Sequence, residues 1–371
     1  MYQPVISGTG VFTPEHIITN QELVESFNAY VDLFNAEHAQ AIAAGEIEAK
    51  EYSSTDFIFK ASGIEQRYVL DKEGVLDPAR MYPRFRQRSD DEPGLMSEIA
   101  LAACETAMAQ AGIQGDQVDL VICAASNIER AYPAVAIEIQ KALGAGGFAF
   151  DMNVACSSAT FGIQAAADMV RAGSVRCAIV VTPELTSGHL EWRDRDCHFI
   201  FGDVATATVI QRSADAQGGC FEILSTRCAT EFSNNIRNNN GFLRRNRPDG
   251  MKDRRDMQFM QNGRKVFKEV VPMVSAHILA HLGEPYTSSR RHSGRKENSG
   301  EFGLGLGFFI ARTLLQRSGG QIRARNLRPH EAAERAASLD NLGDTNAANK
   351  VSATGACVTI SWPRERLERT H

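Results

Sequence analysis

Along the first half of the chain, apolar positions fall into short continuous runs separated by longer stretches in which they recur every three to four residues. QPVISGTGVF (3–12), DQVDLVICAAS (116–126), GFAFDMNVA (147–155) and CAIVVTPEL (177–185) are the runs, each of strand length. Between them, DEPGLMSEIALAACETAMAQAGI (91–113), PAVAIEIQKALG (133–144) and CSSATFGIQAAADMVRAG (156–173) carry helical spacing. Gly112 and Gly173 are the stop signals of the first and last of these helices. A polar-faced helix is predicted over 20–52. A strand that is apolar on both sides must be covered on both sides, so strands alternating with helices predict an α/β sheet with helices on both faces.

The pattern changes after about Leu282. Residues 283–371 hold 14 Lys+Arg, 12 of them Arg, against 9 Asp+Glu, a net of +5, whereas 1–282 carries a net of -10. Residues 327–355 are rich in Ala, Asn, Asp and Glu with few large apolar groups and read as a long loop or linker. The 371 residues are 43% hydrophobic and 23% charged, a globular composition large enough for two domains. A net charge of -5 predicts no general attraction to nucleic acid. The start, MYQPVISGTGVFTP, lacks a basic segment followed by a long apolar one, so no secretory signal is expected. FGLGLGFFIA (302–311) is far short of the roughly 20 apolar residues that span a bilayer, and no membrane association is expected.

Eight cysteines, at 104, 123, 156, 177, 197, 220, 228 and 357, form no CxxC pair. This argues against a zinc site or a disulfide framework and for a reducing cytoplasm. Cys156 differs from the rest in its setting. A strand runs into it, a helix is predicted to begin at it, and Ala155, Ser157, Ser158 and Ala159 around it are small. A sulfur at a helix N-terminus meets unpaired N–H groups and the positive end of the helix dipole, which favour thiolate. Backbone N–H groups there can also hold an oxyanion. Local pattern alone leaves two readings open, an acyl-accepting nucleophile or a buried small hydrophobe. The other seven cysteines read as the latter.

An ordered series of segments resembles the β-ketoacyl-acyl-carrier-protein synthase III family of thiolase-fold condensing enzymes. SGIEQRYVL (62–70) is similar to its T-G-I-x-x-R segment. VDLVICAASNIERAYPAVAIEIQKALG (118–144) is similar to its strand, loop and P-S-x-A-x-x-I-Q helix. FAFDMNVACSSATFGIQAA (148–166) resembles the nucleophile segment, DRDCHFIFGDVATATVI (194–210) the F-G-D-G-A-G-A segment, and MQNGRKVFKEVV (260–271) the G-x-x-V-F-K helix. The resemblance covers about 1–282. It implies a layered α-β-α thiolase-like fold in which Cys156 takes an acyl group from acyl-CoA. Malonyl-acyl-carrier protein then condenses with that acyl group in fatty-acid biosynthesis. It also implies a homodimer built across the strand leading to Cys156, no required cofactor, and Phe57, Arg67, Tyr132 and Arg195 as substrate-binding residues.

The chain departs from this pattern in several places. Phe57 and Ala61 stand where the family has a Trp and an Arg for the adenine end of CoA. Tyr132 stands where the family places a Phe that reaches into the partner subunit's acyl pocket; otherwise it reads as a core or interface aromatic. The segment at about 30–52 is an insertion relative to compact members of the family and is expected to reshape the acyl entrance. None of the nine histidines is followed by Gln-Ala-Asn, and no later G-N-T-S segment or F-G-G-G segment is present. The His and Asn that stabilise the enolate in the family therefore have no counterpart. His277 and His281, four apart, read as ordinary helix residues rather than metal ligands, and no metal is expected.

After Leu282 the chain resembles the end of a sensor histidine kinase ATP-binding domain, in GEPYTSSRR (283–291), GEFGLGLGFFIARTLLQRSGGQIRARN (300–326) and ATGACVTISWPRE (353–365). Gly303, Gly305 and Gly307 match a glycine box that lets backbone N–H groups approach ATP phosphates. The box for magnesium and the first glycine box of that family are absent. The expected organisation is a thiolase-like N-terminal half over 1–212, the start of a second half over 213–282, left incomplete, and an α/β tail of kinase-ATPase type over 283–371. Four readings follow from these resemblances: an acyl-condensing enzyme, a protein that loads acyl groups but condenses them poorly, an ATP-binding signalling fusion through the tail, or a non-functional chimera of two truncated families.

Overall fold

A computed structural model describes residues 1–239, 258–283, 321–326 and 356–361. Its contacts divide the chain into two units, Met1–Val274 and Ser275–His371. The first unit opens with β1 (Pro4–Phe12), β2 (His16–Thr19), α1 (Asn20–Glu37), α2 (Ala39–Ala43), α3 (Thr55–Ser62), β3 (Gln66–Val69) and α4 (Lys72–Leu76). There follow α5 (Leu95–Ala111), β4 (Leu120–Ala124), α6 (Val135–Leu143), β5 (Phe148–Met152), α7 (Ser158–Ala172), β6 (Cys177–Leu185) and β7 (Asp203–Arg212). The short strands β8 (Phe221–Glu222), β9 (Ile236–Arg237) and β10 (Met260–Gln261) precede α8 (Gly263–Gly283), which runs from the first unit into the second. In the second unit β11 (Gln321–Asn326) and β12 (Ala356–Ser361) pair antiparallel, Gln321 opposite Ser361.

Among the described residues, the main sheet has the order β5-β4-β6-β7-β1-β8. Strands β5, β4 and β6 are parallel, and β7 and β1 continue the sheet antiparallel. All five residues of β4 are buried, and they alternate between two cores. Val121 and Cys123 face a layer formed with α5 and α6, and Leu120, Ile122 and Ala124 face α7. That two-sided cover is why β4 reads as an unbroken apolar run.

The strand and helix predictions in this region hold, with ends shortened by a few residues. Gly112, Gly144 and Gly173 close α5, α6 and α7 in the left-handed conformation. Helix α5 lies against β1 at very short range. A β-carbon on Gly10 would fall on the Ala103 carbonyl oxygen, and one on Gly8 on that of Ala107. Glycine on the strand and the alanine stripe on α5 permit this approach together.

The expected helix over 20–52 is cut short. Helix α1 ends at Glu37, α2 adds one short turn, and Gly45 (φ 73°) turns the chain. Residues 50–53 then run back along α1. Asn35 bonds the Lys50 N–H and carbonyl at 2.9 and 3.0 Å, and Asn28 bonds those of Ser53 at 2.9 and 3.2 Å. The polar face of α1 thus binds backbone rather than water. Below it, Phe27, Trp192, Ile18, Leu23 and Ile58 form a third buried cluster.

Candidate active site

Strands β4, β5 and β6 are parallel, so their C-terminal ends meet on one edge of the sheet, the place where open α/β sheets hold ligands. Cys156 lies there. Its turn is closed by local hydrogen bonds. The Val154 N–H donates to Ser158 Oγ at 2.8 Å, Ser158 Oγ donates to the Ala155 carbonyl at 2.7 Å, and Ser157 Oγ donates to the Val154 carbonyl at 2.9 Å. Ala155 adopts φ 48°, left-handed backbone that a residue with a β-carbon rarely takes. The turn sends the chain abruptly from β5 into α7 and leaves Cys156 exposed, while Cys104, Cys123, Cys177 and Cys197 are buried. Cys220 is exposed and Cys228 partly so, which corrects their reading as core residues.

The sulfur is not where a helix dipole acts best. Helix α7 begins at Ser158 with Ser157 as its N-cap, so Cys156 precedes the cap. Its thiol pKa is pushed up from the ordinary 9.0, first by desolvation and then by the charge of Glu184, with its own backbone N–H opposing. The expected promotion of thiolate is therefore corrected. In the resting structure the residue as a whole is open to solvent, but the protein packed around its thiol and a nearby carboxylate outweigh the helix terminus.

Glu184, near the end of β6, accepts from the Ser126 N–H at 2.7 Å and from Ser126 Oγ at 2.5 Å. The Ser126 carbonyl accepts from Asn153 Nδ2 at 3.0 Å, and Asn153 Oδ1 accepts from the Ala155 N–H at 2.9 Å. The next residue, Asn127, pairs its side-chain nitrogen with His189 Nε2 at 2.8 Å. Desolvation lowers the His189 pKa to about 4, so this imidazole is neutral at pH 7. Glu184, Ser126, Asn153, Asn127 and His189 had escaped the sequence reading. Their one signal was a lone acid closing an apolar strand, CAIVVTPEL.

The other sequence-predicted residues separate into three groups. Phe57 and Arg195 come together: the guanidinium lies 4.0 Å from the ring centroid of Phe57, and Arg195 Nε donates to the Tyr52 carbonyl at 2.8 Å. Arg195 also borders an open cleft of about 340 Å³ lined in addition by Lys50, Arg193, Phe27 and Tyr30. Tyr132 is 85% exposed and stands apart from that cleft's lining.

Arg67 does not face a ligand. It is 5% exposed and donates to the Ile18 carbonyl at 3.1 Å, Asn20 Oδ1 at 2.6 Å and the Phe199 carbonyl at 3.5 Å. Burial lowers its pKa to about 10. Its role is to tie β2 and α1 to the segment before β7, which corrects its assignment to substrate. Asp203 of FGDVATA acts alike, accepting from the Leu70 N–H and from the N–H and Oγ of Ser187 at 2.7–2.9 Å.

Gly303, Gly305 and Gly307 lie outside the described residues. Among the described residues, no group of three or more His, Cys, Asp and Glu is placed to hold a metal. No described helix is long and apolar enough to cross a membrane.

The profile of the family described as 3-oxoacyl-[acyl-carrier-protein (ACP)] synthase III matches residues 150–231. A beta-ketodecanoyl-[acyl-carrier-protein] synthase of Pseudomonas aeruginosa is 46% identical over 334 residues, which is 89% of this chain and 91% of that protein. A match of that length reaches past residue 282. A beta-ketoacyl-[acyl-carrier-protein] synthase III of Bordetella petrii is 32% identical over 213 residues, and there the chain spans 53% of the relative's length. The crystal structure of the 3-oxoacyl-[acyl-carrier-protein] synthase III of Aquifex aeolicus superposes with a TM-score of 0.55, 23% identity and coverage of 75% of this chain and 71% of that one. At that identity the likeness is one of fold, the thiolase-like layered arrangement of sheet and helices.

Proposed function

Since the chain belongs to the β-ketoacyl-[acyl-carrier-protein] synthase III family, the condensing enzymes of fatty-acid biosynthesis, we propose that Cys156 is the residue that accepts the acyl group. The observation that carries this reading is an exposed cysteine directly after a left-handed residue, at the edge where three parallel strands end. In the loading step the Cys156 sulfur attacks the thioester carbon of acyl-CoA. The bond from that carbon to the sulfur of CoA breaks, and CoA leaves as a thiol with the proton that Cys156 gives up. In condensation, malonyl-acyl-carrier protein loses carbon dioxide. The electron pair of the broken bond forms the new carbon–carbon bond to the acyl group, and Cys156 departs as thiolate. Acyl-CoA and acyl-carrier protein are then the partners, with no cofactor.

The relative from Pseudomonas aeruginosa is named for a ten-carbon β-ketoacyl product. Two of those carbons come from malonyl, so an eight-carbon acyl-CoA is the primer we assign. In this reading Phe57 and Arg195, whose side chains meet, receive its CoA end, with the guanidinium giving up the ring face to the adenine. A cytoplasmic homodimer is part of the same reading. Strand β5 is an edge of the sheet, and its Phe148 is 46% exposed and stacks on Phe150 at 6.5 Å. Exposed apolar edge strands invite pairing. Residues 1–212 form the loading half in this reading, and 213–282 begin the second half, which continues past residue 282 into the stretch matched by the Pseudomonas relative.

A second reading is favoured by one observation. The chain has no H-Q-A-N and no G-N-T-S segment, so enolate stabilisation lacks its family residues. On that reading the protein loads Cys156 and condenses poorly. Incubation with octanoyl-CoA and intact-mass measurement tests loading: an octanoyl adduct is expected, absent in Cys156→Ala. No adduct at any chain length overturns the acceptor role. Addition of malonyl-carrier protein then separates the two readings by whether the adduct is converted to β-ketoacyl product. Because the thiol pKa lies above 9.0, the loading rate is expected to be still rising with pH at pH 9.

A further inference from the structure

Glu184 has no part in the chemistry above, yet it is joined to the nucleophile's turn. It stands near the C-terminal end of β6, opposite Val204 of β7. Both carboxylate oxygens are engaged by Ser126, one by the N–H and one by the hydroxyl. Ser126 follows β4 and holds Asn153, which follows β5, and Asn153 holds the N–H of Ala155. Four hydrogen bonds thus link the ends of three strands in one line, and the line stops at the left-handed residue that precedes Cys156. A carboxylate suits the first place in this line because it offers two acceptors to two donors of one residue. An apolar side chain there would leave the half-buried Ser126 N–H without this acceptor.

We propose that Glu184 is a positioning residue for Cys156, holding the nucleophile's turn through Ser126 and Asn153. The proposal rests on the reading of Cys156 as acyl acceptor. Glu184 also reaches the sulfur by charge. It is the charged group that acts on the Cys156 thiol, opposing its ionisation, and it acts likewise on Cys123 beneath. Its own surroundings are burial, which raises its pKa, and the two Ser126 donors, which lower it.

The substitutions separate the two effects. Glu184→Ala and Asn153→Ala cut the same line at different points. Each is expected to slow octanoyl-CoA loading by roughly tenfold to a hundredfold, the range a small misplacement produces. The double variant is expected to be about as slow as either single, because a broken line cannot be broken twice. Glu184→Gln keeps one acceptor for the Ser126 N–H, and its amide can donate to the rotated hydroxyl, so it should restore most of the loading lost in Glu184→Ala. Both Glu184 variants should lower the pH midpoint of Cys156 alkylation by iodoacetamide, read by peptide mapping so that exposed Cys220 is scored separately.

Wild-type loading by Glu184→Ala overturns the proposal, as do multiplicative losses in the double variant or an unmoved midpoint in Glu184→Gln. Should the wild type take no acyl group, the acceptor reading fails by itself. The alkylation profile then still decides: a lowered midpoint in Glu184→Gln, with a slower plateau rate in Glu184→Ala alone, upholds the link to Cys156, and its absence overturns it.

Discussion

Helices α7 and α8 have similar patterns and opposite fates. Both carry apolar residues at helical spacing. In α7 the inward residues Gly162, Ala166, Ala167 and Val170 are buried against β4 and β6. In α8 the stripe Phe267, Val270, Val271 and Val274, at spacings of three, four and seven, is 39–68% exposed. A periodic pattern states which face of a helix gains by leaving water. It does not state that a partner exists. The sheet supplies one for α7, between strands 40 and more residues apart in sequence, and the described part of α8 lies open.

The sharpest way to break this contrast is a charge on each helix. Ala166→Asp places an unpaired carboxylate in a fully buried position and is expected to cost about 4 kcal/mol or more. Val270→Asp should stay within about 0.5 kcal/mol. Urea unfolding of both variants decides, and equal losses would mean that α8 is covered in solution.

Acid tests burial elsewhere in the first unit. His198 is fully buried, and desolvation, helped by the charges of Arg67 and Arg195, lowers its pKa to about 3. His189 is lowered to about 4. In the unfolded chain both take up protons near pH 6.5, while the folded chain resists. Stability is therefore full above pH 6.5 and falls as pH drops toward 3–4, by roughly 3–5 kcal/mol for His198 alone. His198→Phe keeps the ring packed against Phe27 and should flatten this acid limb in pH-dependent melting curves. An unchanged slope would show that His198 titrates normally.

Smaller effects follow from packing. A β-carbon at Gly162 would meet Val180 Cγ1 at 2.8 Å and Ala124 Cβ at 3.1 Å. Gly162→Ala should lose about 1 kcal/mol by chemical denaturation, overpacking exceeding the gain in helix propensity. A stabilised variant would mean that α7 shifts outward without loss. Least in energy is Phe267→Ser, expected to change unfolding free energy by less than about 0.5 kcal/mol while reducing the binding of an apolar dye. Undiminished dye signal would place the exposed surface elsewhere.

Much of the fold was legible because strand and helix follow from local spacing and from glycine stops. Runs such as VDLVICAA have only one way to satisfy both faces. The placement of Cys156 between strand and helix was legible for the same reason. Less local features were misread. Arg67 lies in a segment that resembles a family motif, yet its guanidinium binds Asn20 and two carbonyls, contacts made across 47 to 132 positions of sequence. The helix expected to Tyr52 stops early because Asn28 and Asn35 draw the following backbone onto α1, which spacing within the helix does not encode.

By itself, then, the sequence determined the alternation of strands and helices, the two-sided burial of β4, and a cysteine at the turn from β5 to α7. Those depend on backbone geometry over a few residues. Tertiary structure alone decided that desolvation raises this thiol's pKa, that Glu184 is joined to the turn before it through Ser126 and Asn153, and that α7 is covered while the described apolar stripe of α8 is exposed. Burial, charge and hydrogen bonding act through space, and their partners come from strands whose proximity exists only once the sheet has formed.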